Sequence, residues 1–457
     1  MVEEKENSQF ELTDELIAQV ELLVTNQSDK ELKTLLNEFH FADIAEILDE
    51  LELDASVYVI KLLDSETTAD IITELDEDVR EKILENLSAK EIAEEIEELD
   101  TDDAADIIAE LSEERQAEVI SQIEDKEHRE EITELLAYAE DTAGSLMAKE
   151  LVKVYETWTV AGCLRRIRGQ AKDVTRVHSI YVVNKQEKLI GRLSLKDLIV
   201  AKSEQKIADI SKDTVDWVHV HDDVEDVAKV MLKYDLEAIP VVDDNQTLLG
   251  RITIDDIVDV IREEADKDYQ LAAGISRDVE ADDSIWKLTV ARLPWLLIGM
   301  FGGLGAASII EHFNEGMGSF IVLLSFVPLI QATAGNVGVQ SSAIVVQGLA
   351  NDSVDGNILK RLFKEFILGL VNGFALALVG LIITHFAFGT PYIVSITIAI
   401  ALVAVIIMAA LIGTFIPIFL DKRGIDPAVA TGPFITTSND VFGILTYFLI
   451  AKLILGF

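Results

Sequence analysis

The sequence predicts a multidomain membrane protein: an α-solenoid N domain, an α+β pair built from one unit used twice, and an all-α transmembrane domain of five helices. Three observations predict it. An apolar residue recurs every twelve positions between residues 51 and 123, residues 178–201 align without a gap on residues 237–260, and apolar runs dominate after Asp283. The boundaries read from these changes are 1–140 for the solenoid, 141–205 and 206–262 for the two copies of the α+β unit, 263–285 for a connecting segment and 286–457 for the membrane part. At 457 residues each part is long enough to bury its own core.

The solenoid rests on Leu51, Leu63, Leu75, Leu87, Leu99, Leu111 and Ile123. Most are followed within two positions by Asp or Ser, the residues that cap helix N-termini, so each interval closes one short helix and starts the next. The near-repeats ADIITEL (69–75) and ADIIAEL (105–111) mark successive units of one α-solenoid. Charge is concentrated here: residues 1–140 hold 45 Asp and Glu against 10 Lys and Arg, out of a net −44 for the chain. Such a face repels nucleic acid and anionic headgroups and attracts cations. Asp102 and Asp106, at i and i+4, share a helix face and repel; a solvated surface is the alternative reading of any single pair.

The doubled segment reads as strand, polar turn, second strand entered through Gly-Arg, then a helix capped by Ser194 or Thr253. Val182 matches Val241, Gly191 matches Gly250, and Asp197 matches Asp256, which implies a pseudo-twofold pair. The Ser194/Asp197 and Thr253/Asp256 pairs suit either a nucleotide ribose or simple helix capping.

In the membrane part five apolar runs, about 288–310, 319–349, 366–388, 392–420 and 433–457, are long enough to cross ~30 Å of hydrocarbon. The connections EHFNEGMG and HFAFGTP carry no Lys or Arg, while Arg292, Lys360, Arg361, Lys364, Lys422 and Arg423 collect on the other side. The positive-inside rule then puts the N-terminal region in the cytoplasm and the C-terminus outside, in a multi-pass protein of the cell membrane. The start, MVEEKENSQF, has neither basic n-region nor apolar h-region, so no cleaved signal peptide is expected. Cys163 is the only cysteine, which excludes an intrachain disulfide or a Cys-based metal site.

Polar residues inside the runs carry the functional signal. The second run, FVPLIQATAGNVGVQSSAIVV, places Gln331, Asn336, Gln340, Ser341 and Ser342 where a lipid-facing helix is apolar; they face a hydrated path or bind helices together. In the fifth, GPFITTSNDVFG, Asp440 reads as the only carboxylate well inside a run, roughly 10 Å from Pro433 along a helix. A carboxylate there is a functional candidate by default, and a hydrated hard cation such as Mg²⁺ suits it. A structural Asp bonded to Thr or backbone groups is the alternative.

The doubled unit resembles a pair of cystathionine-β-synthase (CBS) domains. With the acidic solenoid, LAYAEDTAGSLM and the five runs, nearly the whole chain resembles the MgtE family of magnesium channels and transporters, most specifically in FVPLIQATAGNVGVQSSAIVVQGLA (326–350) and GIDPAVATGPFITTSNDVFG (424–443). The resemblance implies a homodimer that imports Mg²⁺ through a pore lined by the second and fifth helices. Asp440 would stand at the selectivity site, with Asn336, Gln340, Gly432 and Thr436 near it. It implies a gating plug helix over about 262–280, and closure by cytoplasmic Mg²⁺ bound among Asp102, Asp106, Asp223, Glu225, Asp235, Asp256, Asp259, Glu264 and Asp268. ATP would be a regulatory ligand of the CBS pair. Lys267 stands where the family often has an acid, and TAG replaces a more Gly-rich approach to Asn336.

No enzyme motif is present: no P-loop, no Gly-x-Ser-x-Gly, and no His pair on a helix face. Two rival functions remain. One is a membrane-anchored nucleotide or cation sensor without transport, which would not need Asp440. The other is a transporter of Co²⁺, Mn²⁺ or Ca²⁺, of which the softer metals are disfavoured by the lack of His and Cys near Asp440.

Overall fold

The computed structural model describes residues 10–457 except 172, 173, 175, 214, 278, 280, 282 and 351–357. It forms two compact units, Met1–Ile261 and Arg262–Phe457.

The first unit opens with short helices α1 (Asp14–Thr25), α2 (Asp29–Leu36), α3 (Phe41–Asp49), α4 (Leu53–Leu62), α5 (Ser65–Glu74), α6 (Glu77–Glu85), α7 (Ala89–Ile96), α8 (Thr101–Ala109), α9 (Glu113–Gln122) and α10 (Lys126–Leu135). Helices this short are marginal alone, so caps and packing hold them. The Asp64 side chain accepts the Thr67 N–H, and Ser88 with Glu91 closes a capping box; caps of this kind contribute about 1 kcal/mol each. The twelve-residue series falls on the helix ends. Leu63, Leu75 and Ile123 are C-cap residues, and Leu75, Leu87 and Ile123 turn inward and are buried. Alternate helices stack, α3 on α5 on α7 on α9, with α8 on α10, which is the solenoid arrangement.

The CBS-like pair follows. Its first copy is β1 (Val152–Tyr155), α11 (Val160–Gln170), β2 (Ile180–Val183), β3 (Leu189–Leu193) and α12 (Leu195–Val200). The second is β4 (Val218–His219), α13 (Val224–Tyr234), β5 (Ala238–Val242), β6 (Leu248–Thr253) and α14 (Ile254–Ala273). In each copy the first strand pairs parallel to the second and the second antiparallel to the third. The matched residues keep one register: Val182 faces Gly191 and Val241 faces Gly250, each just before a bulge. The two turns pair with each other through Lys188 and Thr247, as a pseudo-twofold axis requires. The solenoid core is continuous with the second copy, joining Ile107, Ile132 and Leu135 to Val220, Val227 and Met231.

The plug helix expected over 262–280 is the last part of the longer α14, which ends before Gly274 in left-handed conformation at φ 81°. The membrane helices are α15 (Ile285–Met317), α16 (Val327–Ala350), α17 (Ile358–Ile382), α18 (Tyr392–Asp421) and α19 (Gly432–Leu455). Helix runs continuously over Ile285–Ala350, 66 residues, or about 100 Å at 1.5 Å per residue, more than three times the hydrocarbon thickness. Gly318, at φ 49°, and a tighter 3-10 stretch to Phe326 divide it into two crossings, so the described residues contain five membrane-length helices. Three expected bounds move: EHFNEGM continues α15, the second helix begins at Val327 instead of 319, and the third begins at Ile358 instead of 366.

Helix α18 lies at the centre of the bundle, packed on α16, α17 and α19. Gly369 and Gly373 of α17 let the backbones close: a Cβ on either would lie 3.0 and 3.2 Å from Cα of Ile407 and Val403. The earlier start of α17 brings a further carboxylate into a membrane helix, at the charged edge of the third apolar run. Glu365 is buried within α17, 5% exposed, and its Oε2 accepts the Ser341 hydroxyl at 3.3 Å.

Candidate metal sites

Helix periodicity builds the first site. On α16, residues 331/332, 335/336 and 339/340 recur every four positions and share one face; on α19, Thr436 and Asp440 do the same. These faces line a cavity of about 380 Å³, bounded by Gln331, Ala332, Gly335, Asn336, Val339, Gln340, Thr436 and Asp440. The Thr436 hydroxyl donates to the Gly432 carbonyl at 2.9 Å, which leaves its oxygen lone pairs for the cavity side. No Lys, Arg or His nitrogen lies within 4 Å of the Asp440 carboxylate among the described residues. A Mg²⁺ with six waters occupies about 180 Å³ at roughly 30 Å³ per water, so it fits the cavity with its shell intact.

Of the five residues expected at this site, Asp440, Asn336, Gln340 and Thr436 line the cavity and Gly432 does not. Gly432 serves a contact instead. At φ 49°, its missing Cβ would stand 2.0 Å from the Ala272 carbonyl oxygen, so only glycine admits the end of α14 there. Gln331, Ala332, Gly335 and Val339 join the lining, and their four-residue spacing from Asn336 and Gln340 was a signal available in the sequence.

The second site is a knot of acids in the first unit. Oxygens of Asp100, Asp102 and Glu150 all lie within 4.8 Å of one another, and opposite ligands of Mg²⁺ stand about 4.2 Å apart. The donor set therefore suits a hard cation that keeps some water. Thr101 orients Glu150 by donating its N–H and hydroxyl to Oε2 at 3.2 and 2.9 Å. Burial and the Glu150 charge push Asp100 up to about 6, against an Arg251 contact of 3.5 Å that lowers it. Asp102 is raised well above its ordinary value by burial and by Asp256. Asp103, at the rim, is pushed up to about 7 by burial and by Asp256. Asp256 is raised by burial, although its cap bonds from Thr253 oppose this.

A third group lies in the second unit. Burial, then the nearby Asp426, raise the Asp268 carboxyl, while Glu264 pairs with Lys267 at 2.8 Å.

Three family profiles match the chain: "Divalent cation transporter" over residues 327–450, "MgtE intracellular N domain" over 39–141, and "CBS domain" over 143–204 and 207–263. The magnesium transporter MgtE of Enterococcus faecalis is 39% identical over 326 residues, covering 71% of each chain. That of Bacillus subtilis is 35% identical over 322 residues, covering 69% of this chain and 70% of its own. This chain belongs to the MgtE family. A solved structure, the cytosolic domain of the Mg²⁺ channel MgtE in complex with ATP, aligns with a TM-score of 0.51 at 33% identity over 53% of this chain and 99% of that one. The MgtE relatives are transporters, not enzymes, and this chain is a membrane protein that handles Mg²⁺.

The acids that the MgtE resemblance implies separate into distinct places. Asp102 and Asp256 meet in the knot, together with Asp100, Asp103 and Glu150, which sequence reasoning did not name. Glu264 and Asp268 share α14 with Asp426 nearby, also unnamed. Asp223 caps the start of α13, with Glu225 beside it, and Asp235 caps its other end, so these three do not form one cluster. Asp106 and Asp259 are exposed. Ser194 with Asp197, and Thr253 with Asp256, close as helix caps, the hydroxyl donating to the carboxylate at 2.8 Å in both copies.

Proposed function

We propose that this protein is a Mg²⁺-selective importer of the cell membrane, closed from inside by Mg²⁺. The observation that carries this is the Asp440 carboxylate, without a basic partner among the described residues, in a cavity wide enough for a hydrated Mg²⁺ and otherwise lined by amides, a hydroxyl and small residues. Asp440 supplies the fixed negative charge, and Asn336, Gln340 and Thr436 hold the ion's waters. Asn336 and Gln340 are exposed on the single chain; amides on the outside of a membrane helix call for a partner, which supports a homodimer with the pore between two such faces. The distribution of Lys and Arg supports a cytoplasmic first unit and an external C-terminus.

The knot of Asp100, Asp102, Glu150 and Asp256 is the internal sensor. Without metal, its acids repel one another in a confined space; Mg²⁺ bridges them and favours the assembled, closed state. Closure is then a population shift whose size is the difference in Mg²⁺ affinity between states. Glu264, Asp268 and Asp426 form a second acidic place for the same ion near the end of α14. ATP is a regulatory ligand of the CBS pair, held through the Ser194/Asp197 and Thr253/Asp256 caps, whose N–H and hydroxyl bonds fall on Oδ2 of each carboxylate. The test is Mg²⁺ flux in liposomes with internal Mg²⁺ varied. Internal Mg²⁺ should shut the native protein, and Asp100→Asn/Asp102→Asn should flatten that dependence. Equal closure in the double variant would remove the knot from gating.

A further inference from the structure

We propose that α16, α18 and α19 enclose a buried hydration site, formed by Asn439, Ser342, Thr414 and the Gly413 carbonyl, which fixes the aim of Asp440. Asn439, Ser342 and Thr414 are each 0% exposed. Among the described residues, both side-chain atoms of the Asn439 amide and the hydroxyls of Ser342 and Thr414 have no hydrogen-bond partner. Elsewhere in this domain hydroxyls satisfy themselves: Thr333, Thr397 and Thr436 each donate to the carbonyl four residues back. Four polar atoms in a hydrocarbon setting are costly to leave unpaired.

Their places in the fold bring them together. The three helices meet at Gly338, where a Cβ would lie 1.8 Å from Asn439 Nδ2, and the Gly338 carbonyl oxygen lies 2.4 Å from where a Gly413 Cβ would stand. Ser342 is one turn along the same face of α16, and Thr414 follows Gly413. Pro417, inside α18, supplies no N–H to the Gly413 carbonyl four residues before it. The set is neutral and mixes donors with acceptors. Water answers both kinds, whereas a metal ion would meet the amide and hydroxyl protons.

Asn439 and Asp440 are successive on α19, about 100° apart around its axis. Holding Asn439 towards α16 and α18 therefore holds Asp440 towards the cavity. Asn439 is a positioning residue, and this role rests on the reading of Asp440 as the pore carboxylate.

Water-edited solid-state NMR on the full chain in lipid reads the hydration itself. The Asn439 side-chain ¹⁵N signal, assigned by its loss in Asn439→Ala, should take up water magnetisation as quickly as exposed Asn336. Uptake as slow as that of a dry core residue overturns the hydration site, whatever Asp440 does. In flux assays, Asn439→Leu keeps the number and branching of the heavy atoms and removes the polar ones. It should raise the half-saturating external Mg²⁺ by about fivefold, the effect of one net hydrogen bond, with maximal flux nearly unchanged. An unchanged half-saturation overturns the positioning role, and if Asn439→Leu does not fold, the NMR measurement on the native protein still decides.

Discussion

Removing Mg²⁺ from the acidic knot should make the soluble region unstable in a pH-dependent way. Asp100 is displaced from an ordinary value near 4 to about 6. Its folded form thus holds a proton that the unfolded form has already released between these values. Stability is then greatest at the acid end and falls as pH rises through about 6. Two pKa units correspond to about 3 kcal/mol. Asp102 and Asp103 shift in the same direction through burial and the same shared repulsion from Asp256 and Asp100. About half of the Asp100 energy, about 1.4 kcal/mol, lies between about pH 5 and about pH 8, because the rest is already lost between about pH 4 and about pH 5, so for a domain of this size the melting shift between those two pH values is about 3–6 °C. The assay is thermal unfolding of residues 1–274 in chelator and in saturating Mg²⁺, at about pH 5 and about pH 8. In chelator the melting temperature should fall between the two pH values, and Mg²⁺ should restore it mainly at the higher one, where the carboxylates are ionised and able to bind. Asp49 and Glu95 are also raised, to about 6 and about 7, and lower stability with the same sign, so Asp102→Asn is the control that should remove most of the Mg²⁺ effect. A Mg²⁺ shift independent of pH, or a protein more stable in chelator at pH 8 than at pH 5, would show that these carboxylates neither hold protons nor bind the ion as a group.

Two further substitutions probe the membrane helices. Gly338→Ala should prevent the close seating of α19 on α16, because its methyl would meet Asn439 at 1.8 Å; overpacking costs about 1–3 kcal/mol, visible as lost monodisperse protein in gel filtration, whereas Gly299→Ala, with open space around it, should be tolerated. Glu365→Gln keeps the Ser341 bond but removes a buried charge, so folded yield should hold or rise while flux reports whether the charge is used; a loss of folded protein would show that the carboxylate itself anchors α17.

The parts legible in the sequence are those set by local chemistry. The twelve-residue units carry cap-type residues at their starts, of which Asp64, Ser88 and Asp125 bond to backbone N–H groups, and inward residues such as Leu75 and Leu87 at their ends, so the solenoid could be read without any long-range information. The CBS-like pair was legible because Gly191 and Gly250 recur in one register. Asp440 was legible because a carboxylate in an apolar run is conspicuous. Glu365 was not, since the polar stretch from Lys360 to Lys364 concealed the first turns of α17. Asp100, Asp103 and Glu150 are ordinary acids among many in the sequence; only the packing of α8 against residues 148–150 and β6 brings them beside Asp102 and Asp256. Gly432 resembles a site residue by position along the chain, and its left-handed backbone against Ala272 has no signature beyond the glycine itself.

Whether a Mg²⁺ path runs past Asp440 is decided by Mg²⁺ uptake into proteoliposomes by the native protein and by Asp440→Asn at equal reconstituted amounts. The substitution keeps shape and removes the charge, and a carboxylate contact with a hard cation is worth several-fold to orders of magnitude, so uptake should fall by about tenfold or more while gel filtration and melting are unchanged. Undiminished Mg²⁺ uptake by well-folded Asp440→Asn would place the ion path elsewhere.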